Sequence, residues 1–193
     1  MSAEHPYVAM MSPSVPTPPM TADELLRVHL PDKEVELVRG VLVVREPPGY
    51  AHGAVVARLT AALAGWVDAG DLGRVLAGDP GFTLATSPDT VRGPDVAFIR
   101  RDRVPHPAPT GFAALAPDLV VEVRSPRDRP GEVLAKVGDW LSAGTRLVWV
   151  IDPERRAARV YRADGSETLI AEDGALSGED VVPGFTCSLA SLL

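Results

Sequence analysis

Residues 117–126, "PDLVVEVRSP", constrain the fold more than any other stretch, because they read as a buried β-strand with a carboxylate in its middle. Side chains alternate faces along a strand. Leu119, Val121 and Val123 therefore face one way, and Asp118, Val120, Glu122 and Arg124 the other. One face asks for an apolar core. The other presents a carboxylate and a guanidinium side by side. An unpaired carboxylate in a core costs several kcal/mol, roughly, unless a cation or hydrogen bonds meet it. Glu122 is thus either a surface residue paired with an arginine, or a group that something nearby requires.

The neighbouring segments alternate between strand and helix patterns. "EVELVRGVLVVRE" reads as a hairpin about Arg39-Gly40, and "AARVYRADGSETLIA" as another about Asp164-Gly165. "YAHGAVVARLTAALAGWVDAG" has Val55, Leu59, Leu63 and Trp66 at helical spacing, with Gly70 as a stop. "DRPGEVLAKVGDWLSAG" predicts a second helix with Val133, Leu134, Val137, Trp140 and Leu141 on one face. "RVLAGDPGFTLAT" suggests a hairpin or strand pair, "PDVAFI" a short strand and "TRLVWVIDPE" a buried one. Thr21 is placed to cap a short helix holding Leu25 and Leu26. Interleaving of this kind predicts an α/β or α+β class with a central mixed sheet. A chain of 193 residues fits one domain, expected over 20–193, after a proline-rich leader at 1–19 that reads as disordered. The apolar "SLASLL" either closes this domain or pairs with another subunit.

Charge limits the partners. At a net −7 the chain has no global field to draw it to nucleic acid, so a polyanion must be met by a local basic patch or a metal. The single Cys187 excludes an internal disulfide, leaves no cysteine-built zinc site and fits a reducing, cytoplasmic location. No apolar run is long enough for a membrane span, and no signal-peptide pattern opens the chain.

Asp95 stands at the start of "PDVAFI", 27 positions before Glu122, across a proline-rich loop. If the two strands are neighbours, both carboxylates can converge on one divalent cation. Mg²⁺ suits such a pair, since it accepts a couple of carboxylates and keeps waters for a phosphate to replace. Lysine usage adds a third group. Of nineteen basic residues only Lys33 and Lys136 are lysines, and Lys136 lies at the edge of the apolar helix face that follows Glu122. Each residue also has a plainer reading: Asp95 as a turn residue, Lys136 as a snorkelling lysine, Arg124 as a salt-bridge partner.

Taken together, "ELVRGVLVV", His52 opening a helix, "RGPDVAFI", "LVVEVRSP", Lys136 and "LVWVIDP" resemble the Uma-two family of restriction-endonuclease-like proteins, within the PD-(D/E)XK nuclease superfamily. The resemblance spans roughly residues 21 to 190. It implies a restriction-endonuclease-like fold, a central mixed sheet flanked by helices with a hairpin near each end. It further implies a Mg²⁺- or Mn²⁺-dependent endonuclease that hydrolyses DNA phosphodiester bonds with a metal-activated water. Asp95 and Glu122 would hold the metal, with the Val123 carbonyl as a third ligand and Glu36 as an extra acidic group. The superfamily's E-x-K lysine position holds Arg124 here, and arginine stabilises charge without acting as a base. Lys136 would replace that lysine and share its role with Arg124. His52 is a candidate proton shuttle. Arg100, Arg101, Arg127 and Arg129, with Arg103, flank the two motif segments as a candidate phosphate rim. Two-fold pairing suits duplex cleavage, so a homodimer is expected. The alternative reading is a degenerate nuclease fold that serves as a binding or assembly module. A metal-dependent enzyme for a different phosphoester is a third.

Overall fold

The structure, a computed structural model, describes residues 18–193. The proline-rich leader expected at 1–19 therefore lies outside the described residues, except for its last two. In chain order the elements are α1 (Ala22–Leu25), β1 (Glu34–Val38), β2 (Val41–Arg45), α2 (Tyr50–Gly70), β3 (Gly73–Ala77), β4 (Phe82–Ala85), β5 (Thr90–Arg92) and β6 (Val96–Arg100). They continue as β7 (Leu119–Val123), α3 (Pro130–Ser142), β8 (Leu147–Asp152), β9 (Ala157–Arg162), β10 (Glu167–Ile170), β11 (Ala175–Ser177), β12 (Thr186–Ser188) and α4 (Leu189–Leu192).

The main sheet has the order β10-β9-β8-β7-β6-β3. Only β7 and β8 run parallel, with α3 as the crossover between them, so the sheet is mixed. Alternation along β7 then sorts the layers. Leu119, Val121 and Val123 join Val55, Leu59, Leu63 and Val67 of α2 on one face. Val120 joins Val137 and Trp140 of α3 on the other. The second face of β7 is thus not open; a helix covers it, and all five strand residues are buried. That is the geometry of a strand buried on both sides. Each core leucine contributes about 1.5–3 kcal/mol of burial free energy.

A smaller sheet, β2-β1-β5-β4, stands beside the first. Its hairpin turns at Arg39-Gly40, both with positive φ (48° and 75°), the pairing a two-residue turn demands. At Gly40 a Cβ would meet Pro19 at 2.2 Å, so glycine is required twice over. Thr21 and Glu24 form a reciprocal capping box at α1, as the sequence predicts.

Three expectations are corrected. The segment 74–86 is not a hairpin: β3 pairs with β6 in the main sheet, and β4 with β5 in the small one. Trp66 is 46% exposed, because Val55, Leu59, Leu63 and Val67 follow a strict i+4 stripe that leaves it on the flank. There it packs edge-on against Phe185 and donates from Nε1 to the Pro183 carbonyl, 3.1 Å. Leu134 is likewise exposed, since Val137 and Trp140 set the inward face of α3. The terminal "SLASLL" closes the α2 side, with Leu189 and Leu192 buried in that core. Among the described residues no helix is long and apolar enough to cross a membrane.

Candidate active site

Strand register brings the two motif acids together. Val96 lies opposite Val121 in the antiparallel β6–β7 pair, so Asp95, one residue before β6, is level with Glu122. Asp95 Oδ2 accepts from the Val123 N–H, and Oδ1 lies 3.1 Å from His52 Nε2. His52 comes from the first turn of α2, where its Nδ1 is buried without a partner among the described residues. The imidazole is therefore held on Asp95.

Glu122 is met from α3. Lys136 and Trp140, one helical turn apart, both donate to it: Lys136 Nζ to Oε2 and Trp140 Nε1 to Oε1, each 2.8 Å. The ammonium also donates to the Gly93 carbonyl at 2.7 Å and sits 3.1 Å from Glu36 Oε1. Two hydrogen bonds and one ion pair thus hold the ammonium. Glu36 in turn accepts from Arg92 Nη1 at 2.8 Å and from the Gly93 N–H at 3.0 Å. Arg92 grips Asp139 of α3 with its remaining nitrogens, at 3.0 and 2.5 Å.

Arg124 is placed elsewhere. Its N–H bonds the Ile151 carbonyl of β8, and its guanidinium pairs with Asp152 and the Asp128 carbonyl. The parallel register of β8 sets that carboxylate beside it. So Arg124 is not at Glu122, and the ammonium there is Lys136. The candidate rim is also redistributed. Arg127 lines the site, but Arg100 and Arg101 lie at the opposite end of β6, bound to Asp102 and Asp71. Arg103 pairs with buried Asp118, and Arg129 with Glu132 at 3.7 Å.

Electrostatics follow from this packing. Burial would raise Glu36, but the charges of Lys136 and Arg92, the Gly93 N–H and Arg45 outweigh it and hold it down at about 2. Glu122 goes the other way. Burial, aided by Asp95 and Glu36, pushes it up to about 8 against the pull of Lys136. Burial alone would lower Lys136, yet Glu122, Glu36 and Asp95 raise it overall. Burial also works against the His52 imidazolium, and Asp95 more than offsets it, so His52 is raised.

These groups open into a cavity of about 690 Å³. Its lining holds eight carboxylates against Arg45, Arg127, Lys136 and His52. Five of the acids lie outside the motifs, and burial shifts two of these, Glu34 and Asp79. Burial and the charges of Asp79 and Asp95 push Glu34 up to about 7, and burial with Asp95 pushes Asp79 up to about 6. Raised values mean that the folded chain holds these protons more tightly than the unfolded one. Their stabilisation is complete below pH 4 or so, and is lost as pH rises through 6 and 7. Asp79 keeps much of its surface in solvent, so screening trims the effect to about 1 kcal/mol for the pair. Glu34→Gln with Asp79→Asn is expected to raise Tm at pH 8 by about 2–4 °C and to leave it nearly unchanged at pH 4. Scanning calorimetry without divalent ions measures both.

Trp140, Arg92 and Asp139 were absent from the residues expected at the site. Trp140 was hidden by its apolar spacing on α3. Arg92 carried one signal, a cation two residues before the "PD" on a short β-rich run.

A mixed sheet with two carboxylates level on adjacent strands, and a lysine reaching one of them from the crossover helix, defines a restriction-endonuclease-like fold. The Uma2 family model, described as "Putative restriction endonuclease", matches residues 22–190. The chain belongs to that family. A crystal structure titled as a putative nuclease belonging to DUF820, from Anabaena variabilis ATCC 29413, shares the fold with a TM-score of 0.78 at 22% identity. That match covers 90% of this chain and 97% of the other. No curated protein matches the chain.

Proposed function

We propose that this chain is a metal-dependent endonuclease that hydrolyses DNA phosphodiester bonds. The observation that carries the reading is the level pair Asp95 and Glu122 at the floor of a cavity, with one ammonium fixed on Glu122.

Among the described residues, no three His, Cys, Asp or Glu side chains are grouped to hold a metal ion. A hard cation that takes two carboxylates and fills its other positions with carbonyl oxygen and water does not require three. Eight acidic residues line the cavity against three permanent cations, and its donors are oxygens. Mg²⁺ or Mn²⁺ therefore fits, with Asp95, Glu122 and the Val123 carbonyl to hold it. When bound, such an ion polarises a phosphoryl oxygen and acidifies water.

The chain's own groups do the rest. His52 and the Val123 N–H fix both oxygens of Asp95. Trp140 and Lys136 fix both oxygens of Glu122. A phosphoryl oxygen reaches the Lys136 ammonium beside its two acceptors or in place of one, and the ammonium then stabilises the charge that builds on phosphorus-bound oxygen. Glu36, held by Arg92, keeps Lys136 in place.

The second reading, a binding or assembly module on a nuclease fold, draws on the ion pairs that occupy Lys136 and Arg124. Calorimetric titration with Mn²⁺ and plasmid nicking, run together, separate the two. Wild type is expected to bind and nick, and Asp95→Asn with Glu122→Gln to do neither. Binding without nicking favours the module. No binding by wild type ends the metal-dependent reading.

A further inference from the structure

Resting on the nuclease reading, the shape and charge of the cavity narrow its substrate. The side chains of Glu36, His52, Asp95, Glu122 and Lys136 each expose 12% or less of their surface. All five line the cavity. Residues 45–49 after β2 form one wall, and residues 125–128 after β7 another. Arg45 of the first wall lies 3.9 Å from Asp128 of the second. Asp79, Gly81 and Phe112 bound it elsewhere.

A cavity of about 690 Å³ is within the range that encloses a single drug-sized molecule. One nucleotide fits such a space. A paired nucleotide brings its stacked neighbours and the opposite strand, and must leave the stack before it can enter a recessed pocket.

Charge leads to the same conclusion. Proteins that grip a duplex do so with many lysines and arginines, about one per phosphate neutralised. This lining has eight acidic residues against three permanent cations, one of which, Lys136, is already paired with Glu122 and Glu36. The arginines that follow β6, Arg100, Arg101 and Arg103, lie away from the cavity in ion pairs and add no basic track to it. At the lip, next to Gly49 of the first wall, Tyr50 is 94% exposed. An exposed ring next in sequence to the cavity lining offers a stacking face for a base, which an unpaired strand can present.

We propose that the site takes an unpaired nucleic-acid strand rather than the interior of a duplex. One phosphodiester enters the cavity, Arg127 meets a phosphate at its mouth, and Tyr50 stacks on a base at the lip.

The test compares one fluorescent 12-mer DNA as a single strand and as a duplex, by anisotropy with the full chain in Ca²⁺, and in Mn²⁺ for cleavage. The single strand is expected to bind at least about tenfold more tightly, and Tyr50→Ala to cost it about tenfold with no change in melting temperature. In Mn²⁺, a duplex with an unpaired flap is expected to be cut within the flap. Equal or tighter binding of the duplex overturns the proposal, as does an unchanged affinity in Tyr50→Ala. Turnover of bis(p-nitrophenyl) phosphate with binding of neither DNA also overturns it, and points to a small phosphodiester. Mn²⁺ heat in the calorimeter with no DNA bound defeats this proposal alone. Absence of that heat defeats the metal-dependent reading beneath it.

Discussion

Lys136→Met is expected to cost about 3–5 kcal/mol of stability at pH 9, and markedly less at pH 6. The ammonium is the one cation on Glu122, whereas Glu36 keeps Arg92 and the Gly93 N–H. In the wild type Glu122 is raised to about 8, above its ordinary value, so its stabilisation is complete below pH 4.5 and falls as pH climbs to 8. Above that the ionised group is tolerated, because Lys136 pairs with it. Without Lys136 its folded pKa rises further, and the loss continues past pH 8. The gap between the two proteins should therefore widen above pH 8 by about 1.4 kcal/mol per unit. Lys136 is itself raised above 10.5, so its own titration lies beyond this window. Urea melts at pH 6, 8 and 9 measure the gap. A constant gap would mean that the lysine's packing, not its charge, is what the fold needs. Lys33 is the only other lysine and lies on the surface with Glu46, so amine-directed labelling can also report Lys136 separately.

What could be read in the sequence followed period and punctuation. The alternation of "LVVEV" placed Val121 and Glu122 on opposite faces, and the antiparallel register supplied the neighbour that Asp95 needed. Arg39-Gly40 and Asp164-Gly165 marked real turns because Gly40 and Gly165 take the positive φ that glycine adopts without strain. What failed had a common cause: local pattern does not say which strand lies alongside. β3 and β4 look like a hairpin through Gly78 and Asp79, yet each finds its partner elsewhere. Arg124 shares a face with Glu122 in sequence, but the parallel neighbour β8 sets Asp152 beside it. Arg100 and Arg101 are near Asp95 in number and a strand's length away in space. Glu36 is the converse case, distant in sequence and brought to Lys136 by the small sheet.

Arg92→Met should be about as damaging as loss of Lys136, again about 3–5 kcal/mol near neutral pH, although it touches neither motif acid. Its side chain is 5% exposed and joins three elements: β5 carries it, β1 supplies Glu36, and α3 supplies Asp139. Removal leaves Asp139 with only the distant Arg39, at 4.0 Å, and leaves Glu36 dependent on Lys136, Arg45 and one N–H. Arg92→Lys restores the charge but cannot reach two carboxylates with one planar fork, so it should recover part of the loss. The acid side carries the signature. Glu36 lies below its ordinary value, at about 2, so it contributes stability above pH 4.5 that is lost as pH falls toward 2. Arg92→Met moves Glu36 back up, and less remains to be lost. The gap between variant and wild type should thus be widest near pH 6 and narrow by pH 3, an acid window that sets it apart from the gap for Lys136→Met, which changes above pH 8. Denaturant melts across pH 3–6 decide it. A gap that stays level would leave Arg92 as a packing residue between the sheets. A gap that narrows would identify the charge chain Asp139–Arg92–Glu36–Lys136 as the link by which the small sheet holds the ammonium on Glu122.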